Sequence, residues 1–265
     1  MKNRLMGAAA AAAFSVSSFF GSIAHAANID LAFIMDASGS VGSGNFNTAM
    51  DSLADALAAS IPVGGTDTYR IGVVTFSNNA KLTTLKTISN QADLDTVVAD
   101  IKAESFIGST TNYKAAFDLV RTSFGALGAS SIVNMMTDGE PCCLSSSNSD
   151  AVSARNALKG AGWDSLSFES VTSGADNAFL SRLGFDTAGD GATIIDDAGD
   201  ITDPLNDAFV LKVASFGDAY DQAITTKVQK IVTPGVVPLP TALPLLGGGI
   251  LIMGFIGRRR KAAAA

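Results

Sequence analysis

The stretch Leu31–Phe46, LAFIMDASGSVGSGNF, decides the reading of this chain. It opens with a continuous apolar run, the pattern of a β-strand covered on both faces. The run stops at one acid, Asp36, spaced two by two from Ser38 and Ser40, with Ala37 and Gly39 between them. Small residues let the backbone curl, so the turn offers one carboxylate and two hydroxyls at alternate positions. A structural turn requires some of these residues, but not this order.

Working outward, FNTAMDSLADALAASI repeats apolar residues at helical spacing and is closed by Pro62 and Gly64-Gly65. YRIGVVTF (69–76) reads as a second strand, and AKLTTLKTI (80–88) as a third. The short turn between them makes the third antiparallel to the second. A helix is expected over 91–103, another over 113–127, then a fourth strand, SSIVNMMT (130–137), again stopping at an acid, Asp138. Helix 148–159, strand 166–171, a short helix over 176–183, strand 192–196 and helix 201–212 complete the alternation, with a last helical segment over 216–232.

Such alternation predicts an α/β fold: a mostly parallel, six-stranded sheet with one antiparallel edge strand and helices on both faces. Ligands of such sheets sit beyond the carboxyl ends of the strands, where strand order reverses. Asp36 and Asp138 each follow a buried strand, so both acids should emerge on one solvent-facing edge.

Magnesium takes oxygen ligands in octahedral geometry and gives up water reluctantly. The DASGS turn offers Asp36, Ser38 and Ser40. The loop FIGSTTN offers Thr110 and Thr111, and MTDGE offers Asp138. Two carboxylates and three neutral hydroxyls would leave a dication partly unsaturated, ready to accept a carboxylate from a partner. Glu140 and Asp67 read as solvated loop acids, with more distant membership of the acidic rim as the alternative for each.

With D-x-S-x-S after a first buried strand, G-x-T on a middle loop and T-D-G after a later strand, the sequence over about 29–211 resembles the von Willebrand factor type A family. The resemblance implies a Rossmann-like doubly wound fold and a metal-ion-dependent adhesion site. By position, its ligands would be Asp36, Ser38, Ser40, Thr110 and Asp138, with Mg²⁺ as the ion and Mn²⁺ or Ca²⁺ as substitutes. The family's G-x-T pattern selects Thr110 over Thr111. A protein ligand with an exposed Asp or Glu is the partner this implies.

Both ends carry addresses. Residues 1–26 read as a secretory signal, with Lys2 and Arg4 before an apolar run and Ala24-His25-Ala26 at the cleavage pattern. From Val236 the chain is uncharged until Arg258. As a helix that run would rise about 33 Å, enough to cross a hydrocarbon core of about 30 Å, and a basic cluster follows it. VPLPTALPLLGGGILIMGFIGRRRK resembles a PEP-CTERM sorting signal of the V-P-L-P-A variant, with Thr241 in place of the usual alanine. That resemblance implies processing by an exosortase in Gram-negative bacteria; a plain membrane anchor is the alternative. The expected layout is therefore signal 1–26, domain 27–213, helix and linker 214–235 and sorting signal 236–261. It describes an exported protein, tethered at the inner membrane and then released to the cell surface or matrix.

Six of the 18 cations lie in those end segments and all 25 acids lie between them, so the exported part is more acidic than the formal charge of −7. Such a surface repels nucleic acid and suits cation binding. The two cysteines, Cys142 and Cys143, are too few for a disulfide framework or a tetrahedral zinc site. Removing the signal removes the single histidine, His25, and with it Ser-His-Asp or Cys-His catalysis. SGSVGSG (38–44) lacks the Lys-Ser/Thr of a phosphate loop. DTAGDGATIIDDAGDITD (186–203) has one calcium-repeat-like turn where stacked repeats need several. The expected function is thus metal-dependent protein binding rather than catalysis, with a matrix component whose metal only stabilises the fold as the alternative.

Overall fold

The computed structural model describes residues 27–142 and 147–232. The elements in chain order are β1 (Asn28–Asp36), α1 (Ser43–Ser60), β2 (Thr68–Phe76), β3 (Ala80–Ile88), α2 (Gln91–Lys102), α3 (Tyr113–Ser123), β4 (Ser130–Thr137), α4 (Asn148–Gly160), β5 (Ser165–Val171), α5 (Asn177–Leu183), β6 (Thr193–Ile195), β7 (Phe209–Val213) and α6 (Asp218–Val232). They form one sheet in the order β3-β2-β1-β4-β5-β7-β6. Only β3 runs antiparallel, at one edge, paired to β2. The mostly parallel α/β architecture with an antiparallel edge strand is as the sequence pattern predicts.

The continuous apolar strands are explained by their two covers. Along β1, Leu31, Phe33 and Met35 pack into one core, while Ala32 and Ile34 pack into the other. The first core lies under α1, α2 and α6; the second lies under α3, α4 and α5. Burial of each large apolar side chain contributes about 1.5–3 kcal/mol, so a central strand such as β1 is anchored from both sides. Gly72 in β2 is required by contact rather than by conformation, since a Cβ there would meet the Phe124 ring at 2.5 Å.

The sheet has seven strands, not six. Where a helix is expected over 201–212, the chain makes a turn and then β7, which inserts between β5 and β6. AFVLKV is apolar enough for either element. The decisive term is tertiary: Phe209, Val210, Leu211 and Val213 are all buried, on alternating faces, which a strand between two neighbours achieves and a surface helix does not. The helix expected over 113–127 stops at Ser123, and Gly125 follows with φ 63°.

The final helix, α6, is docked in the core. Tyr220, Ala223, Ile224 and Val228 are buried, and Lys227 is fully buried against Glu169 of β5 at 3.3 Å. Asn134 of β4 also donates to that carboxylate, and the Lys227 ammonium lies 4.7 Å from the Phe209 ring centroid. Like α1, α6 starts at the carboxyl-end edge of the sheet and runs toward the opposite edge, with Asp221 meeting Ser52 of α1 on the way. Among the described residues no helix is long and apolar enough to cross a membrane. The proposed signal, the apolar C-terminal run and Cys143 lie outside the described residues.

Candidate metal centre

Adjacency of β1 and β4 creates the site. The two strands pair in parallel, with Met35 opposite Met136, so Asp36 and Thr137-Asp138 leave the sheet side by side. Strand order reverses here: β2 and β3 continue to one side of β1, and β4 and its successors to the other. This is the crevice where open α/β sheets bind ligands.

Four of the five expected donors are joined by hydrogen bonds. Asp36 Oδ1 accepts the Ser38 amide at 2.8 Å. The hydroxyls of Ser38 and Ser40 lie 3.1 Å apart, and Ser40 donates to Asp138 Oδ1 at 2.7 Å. Exposure differs sharply among the four. Asp36 is 0% and Ser38 1% exposed, Asp138 is 8% exposed, and Ser40 faces solvent. The site thus opens outward at Ser40, beside the largely buried Asp138, whereas Asp36 is its buried floor rather than part of a solvent-facing rim.

The middle loop is held by backbone pairing. Gly39 donates to the Ser109 carbonyl at 2.7 Å, and Gly108 donates to that of Ala37 at 2.9 Å. The buried Ser77, just past β2, accepts from the Ser109 amide at 2.9 Å and donates to the Thr110 carbonyl at 3.0 Å. Thr110 is half-buried, and its hydroxyl makes a long 3.4 Å bond to Asn78 Oδ1 instead of joining the other four donors. Thr111 is buried, and its carbonyl accepts the Cys142 amide at 3.1 Å, which places Cys142 on this edge. Glu140 is exposed two residues past Asp138. Asp67 belongs elsewhere: it precedes β2 at the opposite edge and accepts from the Ala27 amide.

Three further residues support the site without being donors to it. Thr137 donates to Asp36 Oδ2 at 2.7 Å. Tyr113, fully buried, donates to the Gly139 carbonyl at 2.5 Å and lies 3.1 Å from the Thr137 hydroxyl. Ser77 is the third. Thr137 adjoins the T-D-G acid and Tyr113 follows the threonine loop, but their contacts exist only once β1, β4 and α3 are packed.

Burial pushes the Asp36 carboxyl up to about 6, against the opposing hydrogen bonds from Ser38 and Thr137, and the neighbouring Asp138 adds to the rise. Asp138 is also raised, again chiefly by burial. Among the described residues no lysine or arginine pairs with either acid. A buried carboxylate without a cation is costly. Nor is there a cluster of three His, Cys, Asp or Glu among the described residues. The donors are oxygens, two anionic and three neutral, and that set fits a hard dication.

Among solved structures, proximal thread matrix protein 1 from the mussel byssus superposes with a TM-score of 0.55 at 16% identity, over 77% of this chain and 47% of that one. A form of the same mussel protein described as having a zinc-occupied MIDAS motif gives 0.54. The pilus adhesin SpaC from Lactobacillus rhamnosus GG gives 0.53 at 11% identity, over 78% of this chain and 31% of that one. The chain therefore spans about half of the mussel protein or less, and at these identities the likeness establishes the fold alone. No curated protein sequence matches the chain. The family model for the von Willebrand factor type A domain matches residues 30–208, which include every donor described above, and the chain belongs to that family.

Proposed function

We propose that this domain binds a protein partner at the cell surface or in the extracellular matrix, in a manner that depends on a divalent cation. Asp36, Ser38, Ser40, Thr110 and Asp138 would hold the ion, with Mg²⁺ the expected species and Mn²⁺ or Ca²⁺ able to use the same oxygens. The observation that carries this reading is the buried Asp36, paired with no lysine or arginine among the described residues and linked through the Ser38 amide and the Ser38 and Ser40 hydroxyls to Asp138 at an open edge of the sheet. A bound dication would supply a Lewis-acidic position for an Asp or Glu of the partner. Thr137 and Tyr113 would orient Asp36, and Ser77 would hold the Thr110 loop. The role is recognition and not catalysis: Glu140, the one glutamate beside the site, is exposed on a loop, and no histidine lies in the domain.

Export and tethering belong to the same proposal. The ends of the chain carry a signal-like segment and a PEP-CTERM-like segment, the latter a substrate for an exosortase-type enzyme. The direction of α6 takes the chain at Val232 away from the site edge, so a C-terminal tether would leave that edge facing outward.

A second reading has its own support. Because Asp36 is buried with a raised pKa, a cation there would also stabilise the fold, as in a matrix component with a purely structural ion. Capture from the organism's surface fraction, in Mg²⁺ and in chelator, separates the two. Recovery of a partner in Mg²⁺ only, lost in Asp138→Asn, supports binding. A large Mg²⁺-induced rise in Tm without any Mg²⁺-dependent partner supports the structural ion.

A further inference from the structure

We infer that the groove beside the metal centre is a second contact for the same partner, and that it takes a basic side chain, preferentially arginine. The inference rests on the proposed binding function and specifies the partner's chemistry. The groove has a volume of 450 Å³ and lies between the start of α1 and the segment after α2. Both walls run directly into the site. Ser43 opens α1 three residues after Ser40, a separation of at most about 11 Å. Ser105 and Phe106 precede Gly108 and Ser109, the residues that pair with the Ala37–Gly39 backbone.

The groove is lined mostly by polar side chains, with Met50 and Phe106 as its apolar members and Asp51, Glu104 and Lys102 as its charged ones. Met50 is buried, and Phe106 is half-buried against Phe46 with ring centroids 5.8 Å apart. Three charged residues line it, and two are committed. Lys102 bonds Asp55 at 2.7 Å, and the buried carboxylate of Glu104 bonds Lys81 at 2.8 Å. Asp51 is exposed and has no ion pair or hydrogen bond to its carboxylate among the described residues. It interacts electrostatically with Lys102, whose ammonium is bonded to Asp55.

An aromatic ring and a thioether lining the groove with one uncommitted carboxylate suit a long side chain with an apolar stem and a cationic head. Guanidinium fits best, since it stacks on an aromatic face and bonds a carboxylate in fork geometry. A leucine would leave Asp51 unanswered, and a glutamate would be repelled by it. The acidic balance of the whole domain acts in the same direction, steering basic partners to the surface. The partner segment would thus present one acid to the metal centre and, within about three to five residues by chain reach, a basic residue to the groove.

The test pans a phage-displayed library of random dodecapeptides against the immobilised full chain in Mg²⁺ and sequences the clones released by EDTA. Released clones should carry Asp or Glu, with Arg or Lys nearby enriched about fivefold over the input library, the factor expected of a rim ion pair of about 1 kcal/mol. Asp51→Lys should retain EDTA-released, acid-bearing clones and lose the basic enrichment; Asp51→Asn should reduce it. Melting temperatures equal to wild type establish that both variants are folded. Acid-bearing clones without basic enrichment, or equal enrichment in Asp51→Lys, would overturn the groove assignment and leave the metal reading standing. Failure of EDTA to release any acid-bearing clone from wild type would overturn both.

Discussion

Thr137 donates a 2.7 Å hydrogen bond to Oδ2 of Asp36 across 101 residues of sequence, and both side chains are completely buried. The bond fixes the buried carboxylate from behind, while the Ser38 amide holds its other oxygen. Thr137→Val keeps the shape and removes the donor. Loss of such a supporting contact typically weakens metal affinity about 10–100-fold, so calorimetric titration with Mg²⁺ should show a weaker site in this variant. An unchanged affinity would show that Thr137 is only packing.

The raised Asp36 pKa makes stability depend on pH in a defined direction. The folded domain holds the Asp36 proton up to about 6, against 3.8 as the ordinary value, so this group's stabilising contribution is present below about pH 4 and lost as pH rises through 6. Asp138 is shifted in the same direction. With chelator present, the cost at pH 7 attributable to Asp36 is about 3 kcal/mol. Tm in EDTA should therefore rise between pH 7 and pH 5, and Mg²⁺ should raise Tm more at pH 7 than at pH 5. A Mg²⁺ effect independent of pH would contradict this.

Gly174 lies against the site without contributing a donor. A Cβ at this position would sit 2.2 Å from the Asp138 carbonyl oxygen, a backbone atom with little freedom to yield. Gly174→Ala should displace the Asp138 loop and lower Mg²⁺ affinity, with little change in secondary structure by circular dichroism. Normal affinity in the variant would mean that the loop relaxes without moving the acid.

The Lys227–Glu169 pair joins α6 to the sheet with both side chains fully buried. Burial holds the lysine down at about 8 and pushes the glutamate up, each opposed by its partner. Lys227→Met leaves the acid buried without a counter-charge, held only by Asn134, and should cost about 3–5 kcal/mol in denaturant titration. The double variant Lys227→Met with Glu169→Leu should recover most of that loss. A double variant as unstable as the single one would refute the charge argument.

Legibility of this molecule in its sequence followed from range. β1, β2 and β4 were readable because strands covered on both faces are continuous apolar runs, and three of the donors sit within five residues of one another. The segment 201–213 was not readable: the apolar pattern of β7 suits helix or strand, and only the neighbours β5 and β6 select the strand. The position of Asp36 at a strand end is legible locally, but its burial is not, because Thr137, itself bonded by Tyr113, reaches it only after β4 and α3 pack. The Lys227–Glu169 pair had no local signal at all. Each of its members looks like an ordinary surface charge until α6 is laid on the sheet.

The central claim is that Asp36, Ser38, Ser40, Thr110 and Asp138 form one divalent-cation site, and titration of Mg²⁺ into the full chain and its Asp36→Asn variant tests it most directly. The account predicts one saturable site in wild type and none in Asp36→Asn, with the variant at least as stable as wild type in chelator because a buried unpaired charge has been removed. Equal Mg²⁺ binding by the two proteins would contradict it.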